Sequence, residues 1–275
     1  CALDRCVDKA MEMIGWDEKY PRKDMGNGKV RAVGLAMAMQ GSAISGVDVG
    51  SVTIKVNDDG FYSMTIGASD MGTGCDTILA QMAADGLGCD MDNIIVRGVD
   101  TDQSPYDSGS YASSTTYVTG GAVVKACESM RKRICEEAAA IMGLKSGEVD
   151  FDGETISEND NPEHSMTLSD LITSLEAGNG RIIEVTESHT SPVSPPPFMA
   201  GAAEIEVDLE TGKITPINYV AAVDCGTVIN TNLARIQTEG GIVQGMGMAM
   251  GTVQGGPWAL GRRLAGWKQY CRWNI

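Results

Sequence analysis

Histidine, aromatic side chains, basic residues and clustered cysteine are what this chain has least of. With 2 His in 275 residues, a histidine-rich metal site has no material, and His164 and His189 are expected as surface or strand residues. The 8 cysteines (Cys1, Cys6, Cys75, Cys89, Cys127, Cys135, Cys225 and Cys271) never form a C-x-x-C pair, which excludes the usual iron–sulfur and zinc spacings. They are scattered over a chain far larger than the small disulfide-stapled domains, so reduced thiols are expected. Aromatics make up 5% of the chain against 43% hydrophobic residues and 16 Met, the composition of a soluble globular protein packed by aliphatics. Lys and Arg number 21 against 37 Asp and Glu, and the net charge of −16 argues against nucleic acid as a partner. No apolar run approaches the length of a membrane span. No charged-then-apolar leader follows Cys1, so the expectation is a cytoplasmic protein, off the membrane, whose sequence starts mid-protein.

Glycine, serine and threonine beside helix starts are what the chain has in plenty. From Ala68 it runs ASDMGTGCDTILAQMAADGLG, with Gly72, Thr73 and Gly74 leading into a helix from about Cys75. Glycine removes side-chain bulk and a helix start offers unpaired N–H groups with partial positive charge, so an anion fits there. Asp76 and Thr77 could equally act as ordinary caps, and the loop alone decides nothing. A second loop holds Ser108, Gly109, Ser110, Tyr111, Ala112, Ser113, Ser114, Thr115 and Thr116, more hydroxyl donors than a helix cap requires. Two such loops favour a polar, phosphorylated ligand.

Periodicity predicts the elements around them. Residues 1–16 form a helix with Leu3, Val7, Ala10, Met11 and Ile14 on one face, and Tyr20–Lys29 is a polar connector. Arg31–Ala43 is an almost continuous apolar run. Ser51–Val56 and Phe61–Ile66 flank Asn57, Asp58, Asp59 and Gly60 as a hairpin. Cys75–Leu87 is a helix and Asn93–Val99 a short buried strand, completing a strand–helix–strand unit. Ser114–Met142 is the longest helix, with Val123, Cys127, Met130, Ile134, Ala138 and Ile141 as its apolar stripe, and it should pack across a sheet. Glu148–Gly180 is acidic and broken, a peripheral insertion with a short helix at Leu168–Ala177. Ser191–Pro197 has four prolines and forms an extended loop, a lip beside a binding groove. Ala202–Asp208 and Lys213–Asp224 form a second hairpin, and Leu233–Met250 is a helix containing Gly240, Gly241, Gly245 and Gly247. Each internal glycine costs about 1 kcal/mol relative to alanine, so a neighbour is expected against that face. The fold class is α/β (α+β): mixed sheets with covering helices in two related lobes, one around the two loops and one around the last hairpin and helix.

The order DMGTG…T…AQ, DT…P…SGSYASSTTY…GGAV, AAEIEVDLETGKI, AAVDCGTVIN and IQTEGGIVQGMGMAM, spread over Val30–Met250, resembles the molybdenum-binding subunit of the xanthine dehydrogenase and aldehyde oxidase family. It is similar to the second, C-terminal half of that family's molybdopterin-binding region. The division this implies is residues 1–29 as helix and connector, 30–250 as the molybdopterin-binding domain with the 148–180 insertion, and 251–275 as an atypical tail. The resemblance implies a molybdopterin, as the cytosine dinucleotide and carrying molybdenum, held by Gly72, Thr73 and Gly74, by Ser110, Tyr111, Ala112, Ser113, Ser114 and Thr115, and by Gln237. Relatives often carry Gln where Thr73 stands, and the shorter threonine implies a water in place of a direct amide contact. For Gln237 a solvated helix residue is the plain alternative. The resemblance also implies hydroxylation of a carbon beside a heteroatom in purines, other N-heterocycles or aldehydes, a glutamate base, and electrons leaving through 2Fe–2S clusters to FAD on partner chains or domains. The metal would be ligated by the pterin dithiolene, so no protein ligand is assigned.

The sequence also departs from the family. Neither the GxGE-type segment that carries the glutamate nor the FGGK-type segment of the upstream half occurs, and no catalytic residue is assigned. The tail GTVQGGPWALGRRLAGWKQYCRWNI, with Trp258, Trp267, Trp273, Arg262, Arg263 and Arg272, does not resemble the family. A shifted frame near Gly251 and a basic docking tail are the two readings of it. Three functions compete: part of a molybdenum hydroxylase acting with an upstream molybdopterin half and a small-molecule substrate; a non-catalytic truncated remnant; and a generic phosphate- or nucleotide-binding module. For the chain alone, inactivity is expected.

Overall fold

Period-two alternation builds strands such as Tyr62–Ile66 and Glu184–Thr190, and three-to-four spacing the helices, in a computed structural model that describes residues 2–251 together with 271 and 272. In chain order come α1 (Leu3–Ile14), α2 (Trp16–Lys19), β1 (Arg22–Gly26), β2 (Lys29–Met39), β3 (Val49–Val56), β4 (Tyr62–Ile66), α3 (Cys75–Leu87), β5 (Ile94–Arg97) and α4 (Thr115–Met142). There follow β6 (Val149–Phe151), β7 (Thr155–Glu158), β8 (Asn161–Thr167), α5 (Leu168–Asn179), β9 (Glu184–Thr190), β10 (Phe198–Asp208), β11 (Ile214–Asp224), α6 (Thr231–Gly251) and β12 (Cys271–Arg272). The result is a mixed α/β fold of three sheets and covering helices in two compact units. No helix among the described residues is long and apolar enough to cross a membrane.

One unit spans Gly41–Pro195. Its main sheet runs β5-β4-β3-β9, with β3 antiparallel to β4 and β9 and with β4 parallel to β5. Val52, Ile54, Val56, Tyr62, Met64 and Ile66 point from β3 and β4 into the core. Helix α3 brings Leu79, Ala83 and Leu87, and α4 brings Val123, Cys127, Met130, Ile134 and Ala138. Ile141, expected on that stripe, is 45% exposed, while its neighbour Met142 packs against the core in its place. In β5 only Ile94 is buried, and Ile95 faces outward, as suits an edge strand rather than a buried one. Residues 148–180, expected at the periphery, form the sheet β6-β7-β8 and α5. Their Phe151, Ile156, Leu168, Leu171, Ile172 and Leu175 belong to the same core as α3 and α4.

The other unit comprises the chain up to Gln40 and from Pro196 onward. Its sheet runs β1-β2-β10-β11-β12, antiparallel except for the β11–β12 pair. Helix α1 covers it, packing Cys6, Ala10 and Ile14 on Val33, Ala200, Ala202, Val220 and Ala222. The expected connector Tyr20–Lys29 is instead half of a hairpin. Arg22–Gly26 pairs with β2 across Asn27 and Gly28, both at positive φ (52° and 73°), the backbone that Asn-Gly turns adopt. Glu204, 8% exposed at its side chain, is held by Lys19 at 2.8 Å. Among the described residues, no close neighbour lies against α6 at three of its glycines: a Cβ on Gly240, Gly241 or Gly245 would meet none of them within 4 Å. Of the tail 251–275, all but residues 251, 271 and 272 lies outside the described residues.

Candidate cofactor site

Parallel pairing brings the two loops together. Strands β4 and β5 are parallel neighbours, so the loops that leave their carboxyl ends, residues 67–74 and 98–114, emerge on the same edge before entering α3 and α4. Ligands of open α/β sheets bind in a crevice outside such carboxyl ends. A clip joins the loops: Ser110 Oγ donates to Ser69 O at 2.8 Å and accepts from the Ser69 N–H at 3.2 Å. Gly67 permits the approach, since a Cβ there would lie 2.5 Å from Asp107 Cβ.

The Ser/Thr loop is braced on every side. Ser108 exchanges two hydrogen bonds with Val49, one through its backbone and one through its hydroxyl, both 2.9 Å. Asp107 accepts the Gly109 N–H at 2.8 Å and the Thr119 hydroxyl at 2.9 Å. Tyr111 reaches across 63 residues to donate its hydroxyl to Asp48 Oδ1 at 2.8 Å. Asp48, 1% exposed, takes the Ile44 N–H on its other oxygen at 2.8 Å. The hydrogen bond to Asp48 raises the Tyr111 pKa, which keeps the phenol a donor. Ala43 donates its N–H to Ala112 O at 2.8 Å, and Ser194 and Ser191 tie the proline-rich loop to residues 42–46.

That bracing holds a strained backbone. The non-glycine residues at positive φ among those described are Asn27 in its hairpin turn and Ala43, Ala112 and Ser113, with φ of 72°, 51° and 58°. Such residues cost of order 1–3 kcal/mol each and cluster at functional sites. The loop then delivers α4 with an open start: Ser114 occupies the N-cap position, but its hydroxyl donates to Gly109 O, and no side chain caps the helix. Ser113 and Thr116 are exposed and Thr115 half-buried at this start, beside N–H groups that an anion can take.

The glycine loop differs. The Gly72, Thr73 and Gly74 N–H groups all donate to Asp70 Oδ1, at 2.8, 3.0 and 3.2 Å. Sequence reasoning passed over Asp70, although Asp-x-Gly is an Asx-turn signal. It also passed over Asp48, which has no local signal because its partners lie far along the chain. Asp70, Cys75 and Asp76 have ligand atoms within 4.8 Å of one another. Burial first, and then the nearby Asp76 and Asp70 carboxylates, push the Cys75 thiol up to about 12, which keeps the free thiol protonated at neutral pH. Gln237 lies on the exposed side of α6 in the other unit.

A family model described as the molybdopterin cofactor-binding domain matches residues 9–251. The chain is 32% identical over 252 residues to "Probable hypoxanthine oxidase XdhD" of Escherichia coli (strain K12), covering 91% of this chain and 26% of that protein. It is 26% identical over 255 residues to the xanthine dehydrogenase molybdenum-binding subunit of Escherichia coli O157:H7, covering 90% of this chain and 34% of that one. Among solved structures, the reconstituted CO dehydrogenase from Oligotropha carboxidovorans matches with a TM-score of 0.77 at 23% identity, covering 90% of this chain and 34% of that chain. Quinoline 2-oxidoreductase from Pseudomonas putida 86 matches with a TM-score of 0.76 at 21% identity, over 89% of this chain and 34% of that one. The chain thus spans 26–34% of the length of these relatives.

Proposed function

We propose, from the premise that this chain belongs to the molybdopterin cofactor-binding family of xanthine dehydrogenase-type proteins, that it holds the phosphate-bearing part of a molybdopterin at the start of α4. The observation that carries this is the braced, left-handed Ser/Thr loop ending on an uncapped helix start at the shared edge of β4 and β5.

The donor set fits such a group. Ser113, Thr115 and Thr116 offer hydroxyls, the first turn of α4 offers backbone N–H groups, and no acidic residue lies in that turn. Tyr111, Ala112, Ser110 and Ser114 serve by holding the loop in shape, through Asp48, Ala43, Ser69 and Gly109 respectively. At the glycine loop, Gly72 and Gly74 shape the backbone and Thr73 presents its side chain. Gln237 is assigned to a second contact. When bound, the pterin supplies the molybdenum chemistry that hydroxylates a carbon beside a heteroatom. These residues of the chain bind and orient the group.

The cytosine dinucleotide form, which adds a second phosphate to that of the pterin, is part of the proposal. Purines, other N-heterocycles or aldehydes as substrates, and iron–sulfur and FAD partners with a further molybdopterin-binding half, are the proposal for the assembly in which the chain works as one portion. The names of the hypoxanthine oxidase and xanthine dehydrogenase relatives support the purine part of that range.

The test is molybdenum by mass spectrometry and oxidised-pterin fluorescence on protein purified from its native host. Stoichiometric molybdenum and pterin are expected, falling several-fold, on the order of tenfold, in a Ser113→Ala, Thr115→Val double variant that still folds. Protein without pterin would favour the remnant reading. Nucleotide binding without pterin would favour the generic module.

A further inference from the structure

Two helix starts face the shared edge of β4 and β5, and they are electrostatically opposite. At α4 no side chain caps the helix and its first turn carries no acid. At α3 three N–H groups converge on one oxygen of Asp70, within 2.8–3.2 Å. Gly72 and Gly74, at φ of 97° and 75°, turn the backbone so that these N–H groups point inward together. Convergent N–H groups of this kind form an anion-binding nest. Here the anion is a carboxylate from the same loop.

The surroundings reinforce the difference. Asp76, in the first turn of α3, places a second carboxylate within 4.8 Å of Asp70, so a phosphate approaching this start meets like charge. The Gly72 N–H acts most strongly and, together with those of Gly74, Thr73 and Asp76, outweighs the opposing desolvation and holds the Asp70 carboxyl below its ordinary range. Asp70 is exposed, so a competing anion has free access to the nest and is excluded by occupancy rather than by burial.

We propose that Asp70 is a positioning residue that fills the Gly72–Gly74 nest as a built-in anion, so that a phosphorylated ligand meets this loop through the Thr73 side chain and its phosphate accepts no hydrogen bond from the loop's backbone. The inference deepens the cofactor reading above and rests on it for the identity of the ligand. The occupancy of the nest is testable without the cofactor. Phosphate is thereby directed to the start of α4, and the glycine loop keeps one shape whether or not ligand is present.

The experiment is an inorganic-phosphate titration of the full chain, followed by ¹H–¹⁵N shifts of Gly72, Thr73 and Gly74, in wild type, Asp70→Ala and Asp70→Asn. In wild type those three amides are expected to stay put. In Asp70→Ala they are expected to shift saturably, with phosphate affinity at least about tenfold tighter at this loop. Asp70→Asn keeps the oxygen acceptor without the charge, so its ligand-free amide shifts should stay close to wild type while phosphate binds more tightly than in wild type. Phosphate shifting the wild-type amides overturns the proposal, as does its failure to shift them in Asp70→Ala. Should the alanine variant lose the loop, Asp70→Asn decides: no gain in phosphate affinity overturns the proposal. Loss of pterin from the native protein with the nest still occupied would sink the cofactor reading alone.

Discussion

A buried carboxylate with two donors is a poor place to lose one of them. Asp48 is 1% exposed and takes the Tyr111 hydroxyl and the Ile44 N–H, so Tyr111→Phe leaves one oxygen unpaired under the loop that presents Ser113. The expected result is a Tm lower by roughly 2–4 °C, read by circular dichroism, with weaker retention of pterin. His189 is the pH-sensitive residue. Burial first, and then the positive charge of Lys125, lower its pKa, and its Nδ1 is buried without a partner. A lowered histidine pKa contributes stability that is complete above the ordinary value near 6.5 and is lost as pH falls through the lowered one. The urea midpoint should therefore fall more between pH 7.5 and pH 5 in wild type than in His189→Gln. Neither residue announces its role locally: Asp48 acts on Tyr111, 63 positions away, and His189 acts where strand and helix cross. Asp70 is the exception, since its partners follow it directly in DMGTG.

At the scale of elements, the helix–sheet contacts at the site are set by absent side chains. A Cβ on Gly50 would stand 2.5 Å from Thr119 Cα, so β3 and the second turn of α4 touch backbone to backbone. Gly50→Ala must push that turn away, at a cost of about 1–3 kcal/mol measurable by denaturant unfolding, with displacement of the Asp107–Thr119 hydrogen bond. The sheet β6-β7-β8 is tied in as firmly. Arg131 of α4 donates to Leu87 O at 3.0 Å and to Phe151 O, with its guanidinium 5.3 Å from the Phe151 ring centre. Phe151, fully buried, should cost about 3–5 kcal/mol when cut to alanine, whereas a peripheral insertion would leave stability almost unchanged. The bounds of α3 are legible because Gly74 and Gly88, both in the left-handed region, punctuate it. β1 is not, because its five residues are all exposed and carry no alternation to read.

At the scale of the molecule, residues 41–195 begin and end side by side. Ser42 donates its N–H to Pro195 O at 3.1 Å, and Ser194 donates its hydroxyl to Ala43 O at 2.7 Å. That segment contains one whole core, so residues 41–195 expressed alone should unfold cooperatively by circular dichroism, and a non-cooperative melt would contradict it. Its neighbour in the chain is assembled from two separated stretches, which no local pattern reveals. The sequence by itself determined the helices α3 and α4, the hairpins β3–β4 and β10–β11, and the density of hydroxyls before α4, because each depends on periodicity, turn residues and composition within a short window. Only the tertiary structure decided that the two loops share an edge, since that requires β4 and β5 to be parallel neighbours. It alone decided, too, which helix start stays open: one N–H array is filled by Asp70 and the other is left bare, a matter of where side chains land in space rather than of which residues are present.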